Sequence, residues 1–169
     1  MTYDWPLYFC LFLALWSAVI AGIFSAFSEF LMSALLKAEP ASGIEVMQHI
    51  NRDVIRTQFV SGIISIAVFS TLFALYSVAV FEGAALVTLI LAPLVYLPTV
   101  LLMTVFGNVP MNKRLDRLEH TSALANAYWL EYGHKWTRLN HVRSAGTFLT
   151  AGLYIIAAIT LIASGQVQS

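Results

Sequence analysis

Four long apolar runs fill most of this chain, and no soluble core of its size has room for them. They fall at about residues 5–36, 59–81, 84–106 and 142–163. A helix of about 20 apolar residues crosses a hydrocarbon layer about 30 Å thick. Each run meets that length, and the first exceeds it, so it should tilt or project beyond the bilayer. The chain is 59% hydrophobic and 11% charged, against about 25% charged residues in an ordinary soluble domain. The implied fold is all-α: an integral membrane four-helix up-down bundle, one domain over residues 1–169, with amphipathic helices on one face. No internal repeat, low-complexity tract or second domain is visible.

All nine Lys and Arg residues lie in two stretches, Lys37 to Arg56 and Lys113 to Arg143. Both chain ends and the connection at Glu82-Gly83 carry none. Four spans put the two basic stretches on one face of the membrane. The positive-inside rule then makes that face cytoplasmic and both termini non-cytoplasmic, as in a bacterial inner membrane. Net charge is zero, so no nucleic-acid partner is implied; membrane lipid is the implied partner, with a homo-oligomer left open. Cys10 is the single cysteine, which excludes an internal disulfide and a cysteine-based metal centre. Asp4 and the length of the first run argue against a cleavable signal.

Ala14, Ala18, Gly22 and Ala26 recur every fourth residue and offer a row for close helix packing. Pro93 and Pro98 should kink the third span. Pro40 to Gly43 breaks the first helix, and Ser42 with Glu45 has the form of a capping box restarting a helix near Gly43. Gly107 to Asn112 reads as a helix stop followed by a turn. A further helix should begin near Ser122 and continue into the fourth span.

On that last helix Trp129, Tyr132, Trp136, Asn140 and Arg143 follow one another by three or four residues and share a face. His134, Arg138 and His141 form the adjacent row. Trp129 and Tyr132 at a membrane boundary read as belt residues at headgroup level. Arg143 lies just inside the span, where a cation needs a partner; Glu29 is the first candidate and Asp53 the second. Asn51, Asn108 and Asn112 either cap backbone or donate to a ligand oxygen. H-E-x-x-H, a Gly-rich phosphate loop and a nucleophile elbow are absent, as is a pair of His in one span suited to two stacked haems.

Four segments, Gly22-Ile23-Phe24-Ser25-Ala26-Phe27-Ser28, Met47-Gln48-His49-Ile50-Asn51, Asn108-Val109-Pro110-Met111-Asn112 and Trp136-Thr137-Arg138-Leu139-Asn140-His141-Val142-Arg143, occur in that order. Together they make the chain resemble the anthrone-oxygenase-like family of small four-span membrane proteins. Fungal members are linked to oxidation of polyketide anthrones to anthraquinones. The resemblance maps Gly22, Phe24, Phe27 and Ser28 onto the first span, and Met47, Gln48 and Asn51 onto the helix after it. Asn112 falls on the turn, and Trp136, Asn140, His141 and Arg143 fall where the last span begins. Glu29 and Ser33 depart from the family pattern, which favours a small polar residue and a proline there.

The function this resemblance implies is an integral membrane oxidoreductase whose partner is a hydrophobic aromatic small molecule or a quinol-like one. His141 would be the base, with Asn112, Asn140 and Arg143 stabilising an oxyanion. Phe24, Phe27, Ser28, Asn51 and Trp136 would bind substrate in a cavity between spans one and four. Either no cofactor is needed, or a haem binds with His141 as axial ligand. The competing reading is a non-enzymatic membrane protein that binds a lipid or partner protein at the same place.

Overall fold

The computed structural model describes residues 5–166; Asp4 and Ser169, which bear on the two termini, lie outside them. Every regular element among the described residues is helical. Helix α1 (Trp5–Ala26) passes through a π-helical stretch (Phe27–Leu31) into α2 (Met32–Lys37). Helix α3 (Pro40–Asp53) and a 3₁₀ turn (Val54–Arg56) lead to α4 (Gln58–Val80). Helix α5 (Gly83–Tyr96) widens into a second π-helical stretch (Leu97–Asn108) and continues as α6 (Val109–Asp116). The last helix, α7, is unbroken from Ala123 to Ala163.

Four of these continuous helices are long and apolar enough to cross a membrane: Trp5–Lys37, Gln58–Val80, Gly83–Asp116 and Ala123–Ala163. The chain is an integral membrane protein. Its helices alternate in direction: α7 packs on α1 and α5, while α4 packs on α5 and α1 and stands diagonal to α7. The turn between α4 and α5 uses Gly83 at φ +62°, a left-handed conformation that costs glycine little and other residues more. At this end the Glu82 N–H donates to Gln166 Oε1 over 3.0 Å.

Several local expectations need correction. The row Ala14, Ala18, Gly22 and Ala26 does not form a contact seam: Ala18 and Gly22 are exposed, and nothing lies within 4 Å of a side chain added at Gly22. A four-residue step turns about 40° past a full circle, so such a row winds off any one neighbour. Close approach comes instead at Gly146, whose missing Cβ makes room for Thr99, and at Gly62, which faces Trp16. Helix α3 starts at Pro40, with Glu39 as its cap; the Glu39 carboxylate accepts from Ala41 N at 2.8 Å and Ser42 N at 3.3 Å. Proline is well placed there because the first helical N–H needs no intrahelical partner.

The largest difference concerns residues 107–112. Instead of a stop and a turn, the helix runs straight through them. Pro98 lacks a backbone donor and its ring crowds the carbonyl one turn earlier. Widened turns relieve that conflict, and they begin at Leu97. Asn112 therefore sits on a helix. The start of α7 agrees with expectation, with Ser122 Oγ accepting from Ala125 N at 3.1 Å.

Candidate active site

Three elements converge where the basic residues gather: α3, the third long helix, and the first half of α7. Gln48 is buried and donates to the carbonyls of Leu115 at 2.9 Å and Leu118 at 2.8 Å, tying α3 to the end of α6. Trp129, Tyr132 and Trp136 stack in sequence along α7, with centroids 5.6 Å and 6.4 Å apart. Trp129 and Tyr132 are 2% and 0% exposed, so they are core residues of a cap over the bundle, not headgroup anchors. Met32, Ile44, Met47 and Leu115 surround them.

A cavity of about 360 Å³ opens beside this cap. Its walls are Phe59, Val60, Ile63 and Ile64 of α4 facing Leu101 and Val105 of the widened stretch. Polar groups collect at one end: Asn51, Thr104, Asn108, Asn112 and Arg143. The cavity thus lies between the second and third spans, not between the first and fourth. Thr104, Asn108 and Asn112 follow one another by four residues from the widened stretch into α6, and all three line the cavity.

Arg143 is the centre of the polar end, and it is buried without a carboxylate. Neither Glu29 nor Asp53 pairs with it; both are exposed, and no salt bridge involves Arg143 among the described residues. Its Nη2 donates to Asn140 Oδ1 at 2.5 Å, and Nη1 reaches Thr104 Oγ1 at 3.4 Å. The guanidinium lies 4.4 Å from the Phe24 ring centre and 5.3 Å from that of Trp136. Two aromatic faces and an amide therefore solvate the charge where an anion was expected. Asn140 is itself anchored by bonds from Nδ2 to the Phe24 carbonyl and Ser28 Oγ, both 2.6 Å. Asn112 Oδ1 accepts from Tyr132 OH and Trp136 Nε1, both at 2.9 Å.

Among the described residues four buried polar atoms of this end make no hydrogen bond: Arg143 Nε, Asn51 Nδ2 and Asn108 Oδ1, and in the cap Trp129 Nε1; Asn51 lies beside the Tyr132 hydroxyl. Asn108 has used its other amide atom, donating to the Trp136 carbonyl at 3.2 Å. Leaving such atoms unpaired costs about 1–3 kcal/mol each, a debt that an oxygen-bearing ligand removes.

Of the residues singled out in the sequence, Asn51, Asn108, Asn112 and Arg143 line the cavity. Asn140, Trp136, Phe24 and Ser28 stand behind them as buried supports. Phe27 packs on Trp136, with centroids 5.8 Å apart, and has no place on the cavity wall. His141 is exposed and borders a separate shallow groove with His134, Arg138 and Lys37. One residue beyond Asn140 means about 100° around the helix, which turns His141 away from Arg143. The cavity lining holds no His, Cys, Met or Tyr, so a haem held by His141 does not fit this site. Thr104, Phe59 and Leu101 escaped the sequence reading. The four-residue series Thr104, Asn108, Asn112 after Pro98 was their one available signal.

A buried guanidinium among amides, with no carboxylate paired to it among the described residues, thus stands at one end of an apolar cavity in a four-span membrane protein. The anthrone oxygenase family model matches residues 54–155; the chain belongs to that family. The match includes Thr104, Asn108, Asn112, Asn140 and Arg143, while Phe24, Ser28 and Asn51 precede it. No curated protein and no solved structure matches the chain.

Proposed function

We propose that the protein is a membrane oxidoreductase that binds a flat, hydroxylated anthrone-like molecule as its oxyanion and delivers it to dioxygen. The observation that carries this reading is Arg143, buried with no carboxylate and with a free Nε at a cavity. Family membership supports the same chemistry. The cavity volume falls within the range of about 300–1,000 Å³ common for small-molecule sites.

An anthrone has a methylene group acidified by the ketone across its central ring. Loss of a proton places negative charge on the ketone oxygen and makes the carbon electron-rich toward dioxygen. Fixed donors at that oxygen stabilise the anion most where water is excluded. Arg143 Nε and Asn51 Nδ2 supply donors, and Asn108 Oδ1 accepts from a ring hydroxyl. Phe59, Ile63 and Leu101 hold the rings. Ile64 and Val105 are exposed on the bundle's outer surface, which supports lateral access from lipid. We further propose that the basic face is cytoplasmic in a bacterial inner membrane, with both termini outside. Alkaline phosphatase fused after Ser169 should be active, and fused after Arg117 inactive.

The activity test uses protein in lipid nanodiscs with a hydroxylated anthrone, following anthraquinone absorbance and oxygen uptake. The wild type should exceed the buffer rate, and Arg143→Met should not. Equal rates for the two proteins would overturn the assignment. Tight binding with no oxygen uptake would favour the non-enzymatic reading.

A further inference from the structure

We propose that the Asp116 carboxylate is the proton acceptor of this site, positioned by Arg52; the proposal rests on the anthrone reading above. Deprotonating a methylene requires a base, and the cavity wall offers few. Amides do not take up protons at neutral pH, and the guanidinium and ammonium groups on the wall are donors with no acceptor. Asp116 is the sole carboxylate among the lining residues.

Its placement suits the task. Asp116 follows Asn112 by four residues on α6, so both project from one helix face. Its Oδ1 accepts from Arg52 Nε at 2.6 Å, and Arg52 is the residue after Asn51 on α3. That contact leaves Oδ2 for a second partner. The buried Gln48 bonds to Leu115 and Leu118 bracket Asp116 and fix the spacing of α3 and α6. The Asp116 and Arg52 side chains are 39% and 52% exposed, so a proton collected there passes to water.

Arg143 and Asp116 both line the cavity. Thr104, which Arg143 reaches, and Asp116 are twelve residues apart on one continuous helix, at most about 18 Å along its axis. In the proposed pose the ligand's central ring lies between the two side chains. In an anthrone the acidic carbon and the ketone oxygen occupy opposite edges of the central ring. The step is balanced: the methylene C–H bond breaks and its electron pair moves onto the ketone oxygen beside Arg143. The proton goes to Asp116 Oδ2. Dioxygen reacts only afterwards.

Anaerobic exchange isolates this step from oxidation. A hydroxylated anthrone is incubated in D₂O with nanodisc-embedded protein, and deuterium uptake at the methylene is followed by NMR. Tryptophan quenching reports binding in parallel. The wild type should exchange above buffer; Asp116→Asn should bind normally yet exchange at least about 100-fold more slowly. Asp116→Glu should restore part of the rate, and Arg52→Lys should retain more of it than Arg52→Gln. Exchange by Asp116→Asn at the wild-type rate would overturn the proposal and leave the anthrone reading intact. So would a wild type that binds without exchanging. A wild type that fails to bind the anthrone would overturn both.

Discussion

The two ends of the bundle bury polar atoms in opposite ways. Toward the Glu82 turn, Cys10, Leu13, Phe73, Leu89, Tyr154 and Leu161 form a mainly apolar cluster. In this half, among the described residues, the buried polar atoms outside strict hydrogen-bond distance are single hydroxyls, those of Ser17, Ser70 and Tyr154, and the last two lie beside one another. At the basic end amides, indoles and a guanidinium interlock through bonds that cross from helix to helix. Helices in lipid gain little from apolar contact alone, because the lipid offers the same contact. The first end therefore rests on shape and close approach, as at Gly62 and Gly146. The cap at the basic end reaches beyond the apolar layer and gains from water exclusion as well. Buried aromatic packing and a hydrogen bond to Asn140 hold Arg143 at the cavity wall without a carboxylate among the described residues.

The contrast breaks most severely at Arg143. Replacing it with Met should weaken anthrone binding by about 10- to 150-fold, since a charged hydrogen bond contributes about 1.5–3 kcal/mol; quenching titrations measure this. Asn140→Leu should come next, lowering stability by about 2–3 kcal/mol because Arg143 loses its shortest partner; thermal denaturation in one detergent reads the loss. Trp136→Phe keeps the ring and removes one bond to Asn112, so a loss of about 1 kcal/mol is expected in the same assay. Ser70→Ala, at the other end, removes one neutral hydroxyl beside Tyr154 and should cost about 0.5 kcal/mol, less than Trp136→Phe in the same assay. A loss larger than that of Trp136→Phe would mean that polar pairing matters as much at this end as at the basic one.

How much of this was legible beforehand depends on which coordinate is asked for. Position along the membrane normal was readable from hydropathy and the placement of Lys and Arg, which located the spans and the polar end. The inner face of α7 was readable too, because Trp129, Tyr132, Trp136, Asn140 and Arg143 keep helical spacing over four turns. Rotation of one helix about its axis relative to another was not. His141 and Asn140 are neighbours in sequence, yet one faces the outer groove and the other the interior. Arg143 likewise looked as though it required Glu29, because solvation of a cation by Phe24, Trp136 and Asn140 leaves no charge pattern in the chain. The widened stretch at Leu97–Asn108 was hidden for a related reason: its hydrogen-bond register is not a compositional property, and Pro98 gives only its starting point.

Helix α7 runs 41 residues without interruption, about 60 Å at 1.5 Å per residue, or roughly twice the thickness of a bilayer's hydrocarbon layer. Arg143 sits midway along this single rod, so the depth of the polar pocket is set by how the whole rod settles between the two leaflets. A thicker membrane would draw the guanidinium and its amides into oil, and a thinner one would lift them toward the headgroups. Acyl-chain length thereby becomes a variable that sets how deeply the pocket is immersed.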